Sequence, residues 1–558
     1  MTSLIYMFKR KPADEPLSNL RTVSRWLREL PEGDHYATQQ QVVKNLIQFN
    51  HAGLPVSKER LQILMHLDEN ARNAQLFLCD QYLRNPRISR TIESRLWTTI
   101  HGFFWETTRA YHAFLMDFVT SPGSSKFQVL VPLLTARAIR GFADIFRWRS
   151  IRHEKPSPKL WLKLHNLYLL CEFDQFKDIE LRLYPGDTAR TTCYREYMQA
   201  LLLSAIGTDS CTAAQIHMIG TWLVSLSDAF SLEQDYSPDL HVYMVDMKAE
   251  SGLVRLASGS GGENQTKSRR YLTTVMALVR LREIESALRR GNSPASLGLG
   301  EEFRMPADLP LLRVLIHEWG KKGAERRNEL RHECMPEEWL ILHGIDDIAA
   351  VLKNNKRHTG AERTAHLRPD EILDIQLYGF ITDTTRRGVG INTDVNTKRY
   401  RWTAMDTSER GIGMISTSGE CQWALLGHIV GIQRRPGEPV MVGTIRRTSC
   451  PGGGRTEVGI QVLAREIKLG WLSNHQDYTE VITLEGGDSD GRQSGMNRSV
   501  IIIGDVNHTY TIAMNPSNYV HEAKFTLSID GEPDRSVRMI RAVDKGPGWL
   551  TVECSYTT

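Results

Sequence analysis

With 558 residues, 41% of them hydrophobic and 24% charged, the chain has an ordinary globular composition and is too long for one core, so about two to four domains are expected. Its 69 basic and 65 acidic residues leave a net charge of only +4, too balanced a field to gather a polyanion, which argues against DNA or RNA as a partner. The eight cysteines are scattered without Cys-x-x-Cys spacing, so neither a disulfide framework nor a zinc site is expected, and they read as buried thiols.

Residues 1–16 read as a flexible N-terminus in which the apolar residues precede the charges, the reverse of a secretory leader. No later run reaches the roughly 20 apolar residues of a membrane helix, so a cytoplasmic protein without membrane insertion is expected. Residues 17–352 read as a helical scaffold. Val42, Val43, Leu46, Ile47 and Phe49 share a face at helical spacing, as do Leu61, Leu64 and Met65, and Ile92, Leu96, Trp97, Ile100, Phe104 and Trp105. Breakers at 31–34, 53–55 and 121–123 cut these runs into lengths typical of helix hairpins.

A second helical block, 129–148, 160–173, 194–206 and 214–226, is so dense in leucine and aromatics that each helix must pack against several others. A break near 235–265 holds a short strand at 241–247 and a glycine-rich loop at 258–262. Helices at 271–288, 311–319 and 339–352 complete a stack of helix hairpins or an irregular solenoid suited to binding a protein partner.

The period then changes. After a basic linker at 353–370, alternating segments at 372–382, 400–405, 412–416, 428–433, 440–446 and 458–464 describe a small antiparallel barrel over 371–470. Residues 471–558 form a β-rich extension, with strands expected at 479–484, 500–503, 509–513, 523–529 and 550–553, that completes the barrel or packs on it. The fold class is thus α+β and multidomain, with the helices first and the β-structure after.

Between two of those strands lies Asp406-Thr407-Ser408-Glu409-Arg410-Gly411. A carboxylate, a hydroxyl and a glycine in this order bend the chain sharply and can present polar groups together. The pattern Asp-x-Ser-x-x-Gly, followed by Gly427–Ile432, by Val442-Gly443-Thr444-Ile445-Arg446-Arg447 and by Val458-Gly459-Ile460-Gln461-Val462-Leu463, resembles the PilZ domains, bacterial β-barrels that bind cyclic di-GMP. The resemblance covers roughly 363–470. It also implies an Arg-x-x-x-Arg pair before the first strand; the nearest fit, Arg363 and Arg368, is one residue longer, and the adjacent Arg386 and Arg387 follow that strand.

For this ligand the resemblance implies that Arg363, Arg368, Arg386 and Arg387 fork onto guanine O6 and N7 or onto phosphate. Asp406 would accept from guanine N1 and N2, Ser408 would bridge to a base or phosphate, and Gly411 would let backbone approach the ligand. Read without the resemblance, Asp406 and Ser408 cap a β-turn, and the arginines belong to a solvated hinge and a hairpin loop.

No phosphate loop, nucleophile elbow, metal-ligand helix pair or cyclase signature is present, so no catalysis, metal or cofactor is expected. Two functions follow. In one, a bacterial signalling effector binds cyclic di-GMP at the barrel, and clamping of the 353–368 segment relays this to the helices and a protein partner. In the other, the barrel has lost its ligand and the chain is an interaction scaffold.

Overall fold

The computed structural model describes residues 16–31, 33–52, 56–85, 89–120, 125–256, 266–321, 332–358, 398–417, 423–452, 454–474, 498–506, 509–529 and 532–556. The chain divides into two compact units, Met1–Glu325 and Arg326–Thr558. The first is helical with a small sheet; the second holds two closed antiparallel barrels of six strands each.

Among the described residues of the first unit, eight α-helices come before any strand: α1 Leu20–Glu29, α2 His35–His51, α3 Lys58–Arg84, α4 Arg90–Thr120, α5 Val131–Ile151, α6 Pro158–Phe173, α7 Cys193–Ser204 and α8 Ala213–Leu226. Polar caps open several of them: the side chains of Asp34 and Ser57 accept from backbone N–H groups of the first turns of α2 and α3, and Thr212 and Gln215 form a reciprocal capping box on α8. Helix α5 is apolar around most of its circumference, and Leu134, Ile139, Phe142, Ile145 and Phe146 are all buried. It packs against α4, α6, α7 and α8, as a helix without a solvated face must.

A four-stranded antiparallel sheet follows, β1 Ser231–Glu233, β2 His241–Asp246, β3 Val254–Arg255 and β4 Arg269–Thr273, in the order β1-β4-β2-β3. The strand expected at 241–247 is β2. The glycine-rich loop expected at 258–262 lies outside the described residues. Helices α9 Val275–Arg289 and α10 Leu309–Glu318 complete the unit.

The second unit opens with a difference from expectation: a helix is expected over 339–352, yet β5 runs His332–His343 and only then does α11, Gly344–His358, begin. Trp339, Leu340, Ile341 and Leu342 form a continuous apolar run that fits either period. The barrel decides, because Trp339 and Ile341 point into its core while Leu342 points out onto the face that α11 covers. With β6 Tyr400–Thr407, β7 Gly411–Ser416, β8 Ile429–Gln433, β9 Met441–Gly452 and β10 Arg455–Ala464, β5 closes the first barrel in the order β10-β7-β6-β5-β8-β9. Five of its strands fall where alternation placed them; the segment expected at 372–382 lies outside the described residues.

The β-rich tail is a second barrel in its own right. It comprises β11 Lys468–Asn474, β12 Arg498–Val506, β13 Thr509–Met514, β14 Lys524–Ile529, β15 Arg535–Gly546 and β16 Trp549–Tyr556, closed as β11-β12-β13-β16-β15-β14. Closure leaves no strand edge to template pairing with another chain. Ile345, Ile348 and Val351 of α11, Ile429 and Val442 of the first barrel and Ile501 and Trp549 of the second share one buried cluster. Trp549 Nε1 donates to the Gly427 carbonyl at 2.7 Å, so the indole joins the two barrels by packing and by a hydrogen bond. Among the described residues, no helix is long and apolar enough to cross a membrane.

Candidate functional site

Alternation along the strands of the first barrel sends Trp402, Ala404, Ile412, Met414, Val458 and Ile460 into its core. The residues between them therefore face outward. One outward row crosses four strands: Asp406 of β6 pairs with Gly413 of β7, Gly413 with Gly459 of β10, and Gly459 with Arg447 of β9. Bulges at Met405 and at Arg446 set this register, each adding a residue that re-aims the next one.

The two central positions of the row carry no side chain, and the outer residues lean over the space. A Cβ at Gly413 would stand 2.7–2.8 Å from the Asp406 carboxylate atoms, and one at Gly459 would stand 3.1 Å from Arg447 Cβ and 3.3 Å from its Nε. The result is a shallow polar trough whose glycine floor is covered, the Asp406 carboxylate lying over buried Gly413 and the Arg447 side chain over half-buried Gly459. Its walls stand three inter-strand steps apart, roughly 14 Å between backbones at about 4.8 Å per step. Both side chains already engage partners, so a ligand entering the trough exchanges existing interactions for its own.

The hexapeptide closes the end of this trough. Ser408 N–H donates to the Gly411 carbonyl at 2.7 Å, and Glu409 and Arg410 form the tip of a hairpin between β6 and β7. Ser408 is buried, at 9% exposure, and its hydroxyl donates to the same carbonyl at 3.4 Å. Gly411 sits beside it; a Cβ there would meet Ser408 Oγ at 3.2 Å. Arg465, just past β10, donates from one terminal nitrogen to the carbonyls of Ser408 and Glu409, both at 3.0 Å, and so holds the tip down.

Of the site residues expected from sequence, Asp406, Ser408 and Gly411 are thus together on one hairpin. Asp406 faces the trough, and Ser408 turns into the hairpin itself. Arg363, Arg368, Arg386 and Arg387 lie outside the described residues. Sequence reasoning missed Gly413, Arg447, Gly459 and Arg465. The signal was present for two of them, since Arg447 and Gly459 stand at outward positions of the strand segments that carry the family resemblance. Among the described residues, no group of histidine, cysteine and carboxylate side chains could hold a metal ion.

Fold and site together define a helical domain joined in one chain to a two-barrel unit, with a polar trough on the first barrel. The family described as the N-terminal domain of the cyclic-di-GMP receptor FimW matches residues 21–238, wholly within the helical unit and ahead of both barrels. That match supports a cyclic-di-GMP signalling protein. No curated protein and no solved structure matches the chain.

Proposed function

We propose that this protein is a cyclic di-GMP receptor whose ligand lies on the outer face of the first barrel. The observation that carries the reading is the register Asp406–Gly413–Gly459–Arg447, which brings a carboxylate and a guanidinium together over two paired glycines. Guanine presents N1–H and N2–H donors to a carboxylate and O6 and N7 acceptors to a guanidinium, and a planar ring lies flat on the two glycines once the Asp406 and Arg447 side chains swing off them. Arg363, Arg368, Arg386 and Arg387 supply the cations for a dianionic ligand from the segment that precedes β6. The similarity of residues 21–238 to a cyclic-di-GMP receptor domain supports the same ligand. Binding, rather than catalysis, is the proposed role, and the helical unit is the proposed contact for a protein partner that responds to the bound barrel.

A second reading, an interaction scaffold that has lost the nucleotide, draws on the Ser408 hydroxyl, which is turned into its own hairpin. Calorimetric titration of the full chain with cyclic di-GMP separates the two. A receptor binds at micromolar ligand, and Asp406→Asn and Arg447→Ala each weaken binding by about tenfold or more, the scale of one lost charged contact. Absence of heat with wild-type protein at micromolar concentrations leaves the scaffold.

A further inference from the structure

Helix α9 follows the last strand of the small sheet, beyond the residues that the family match covers. Ala277, Leu281, Ile284, Ala287 and Leu288 turn into the core, at the spacing of an amphipathic helix. The opposite face is not the evenly polar one that would complete the pattern. Its first two turns expose Val275, Met276 and Val279 at 42%, 64% and 41%. Its last two turns carry arginine instead.

Together, α9 and its capping residue Arg290 hold four arginines against two glutamates. Of the glutamates, Glu285 is already engaged: Arg313 of α10 and Arg289 both donate to the same carboxylate oxygen at 2.8 Å, and these two bonds hold its carboxyl below the usual range. Arg280, Arg282 and Arg290 have no ion-pair partner among the described residues. Val279, Arg282, Glu283, Ser286 and Arg290, three or four residues apart and so on one side of the helix, line a depression along this face. In a chain whose charges almost balance, the result is a concentrated basic surface with an apolar end.

The apolar end gains by being covered and the basic end by meeting carboxylates. A lipid surface fits poorly, because a helix lying in a membrane interface is apolar along its length and leads with Trp, Phe or Leu, whereas the continuous apolar face of α9 is buried in the unit. A single-stranded nucleic acid would engage the arginines, but it finds no aromatic ring on α9 to stack on and leaves the aliphatic end bare. An antiparallel helix answers both ends. Acidic residues in its first turns, where its own dipole favours them, fall opposite Arg282 and Arg290, and aliphatic residues in its later turns fall on Val275 and Val279.

We propose that this face of α9 docks an acidic amphipathic helix of another protein, with its carboxylates N-terminal and its aliphatic residues C-terminal. This gives a surface and a partner chemistry to the helical-unit contact put forward above, and it rests on that contact but not on the nucleotide. The probe is a synthetic peptide of about 15 residues, the length of α9, with glutamates in its first two turns and leucines along one side of its last two. Fluorescence anisotropy with the full chain, in the absence of cyclic di-GMP and at about 50 mM salt to limit screening, is expected to show micromolar binding, with a scrambled peptide about tenfold weaker or worse. Arg282→Glu combined with Arg290→Glu should weaken the peptide about tenfold or more, and Val279→Asp about fivefold. All three positions are exposed, so both variants should melt as the wild type does and respond to cyclic di-GMP as it does. Silence toward the peptide at millimolar concentration, equal binding of the scrambled peptide, unaltered affinity in either folded variant, or tighter binding of phosphatidylserine vesicles or single-stranded DNA through the same arginines overturns the proposal. Failure of cyclic di-GMP to bind, with peptide binding intact, counts against the barrel site alone.

Discussion

The two barrels are built on the same closure of six antiparallel strands, yet Gly470 of the second faces the opposite way from Gly413 and Gly459 of the first. In the second, a Cβ on Gly470 would meet the Ile502 and Leu527 side chains at 3.1 and 3.2 Å, so the missing side chain makes room inside the core. In the first, Gly413 and Gly459 make room outside, for Asp406 and Arg447. The outer surface of the second barrel carries closed ion pairs, Arg541 with Glu553 at 2.7 Å, Arg538 with Glu522 at 3.1 Å and Lys468 with Glu532 at 2.6 Å. Under the proposed function, the same architecture is a binding surface in one barrel and a support in the other.

The comparison is broken most severely at the seam. Trp549 is fully buried in the cluster shared by both barrels and α11, so Trp549→Ala should cost about 3–5 kcal/mol, read from the denaturant midpoint of the whole chain. A loss below about 1 kcal/mol would mean the barrels stand independently.

The glycines sharpen it. Neither Gly413 nor Gly470 has positive φ, so alanine meets no backbone strain at either position, only its neighbours. Gly413→Ala should push the Asp406 carboxylate off the trough and lower cyclic di-GMP affinity about tenfold, roughly 1.4 kcal/mol, with little change in stability. Gly470→Ala should do the reverse: about 1 kcal/mol less stable by overpacking, with ligand affinity unchanged. Titration and melting of both variants test the pair, and equal effects on binding would sink the distinction.

A smaller effect separates the helical unit from both barrels by pH. His101, stacked on Trp97 at 4.5 Å between centroids, and His112, facing Phe142, have pKa values lowered from 6.5 to about 4 by burial, aided by Arg149 and Arg152 for the first and Lys163 for the second. The unfolded chain then binds protons that the folded one refuses, so their contribution is complete above about pH 6.5 and declines as pH falls toward 4. Melting temperature should drop across that window, and less steeply in His101→Gln; an identical slope in that variant would remove His101 from the explanation.

Much of the fold could be read from periodicity. The apolar stripes of α2 to α8 and the alternation of β6 to β10 are local patterns, and they lie where they were expected. Trp339–Leu342 could not be read, because four consecutive apolar residues satisfy both periods until a barrel with five strands demands a sixth. β11 and β15 escaped for a related reason: Lys468 to Asn474 is interrupted by Gly470, and β15 carries Arg538, Arg541 and Lys545 on a solvated face. Of the trough, Asp406 was legible from its hairpin pattern, but its opposite wall was not.

The sequence by itself determined that a helical region precedes a β-rich one, the hairpin between β6 and β7, and the near balance of charge, since these depend on residues close along the chain or on composition alone. Only the tertiary structure decided that Asp406 and Arg447 lean toward each other, that two glycines make room beneath them, and that the tail closes on itself. Those facts depend on strand register between distant segments, where one residue of slip exchanges inside for outside.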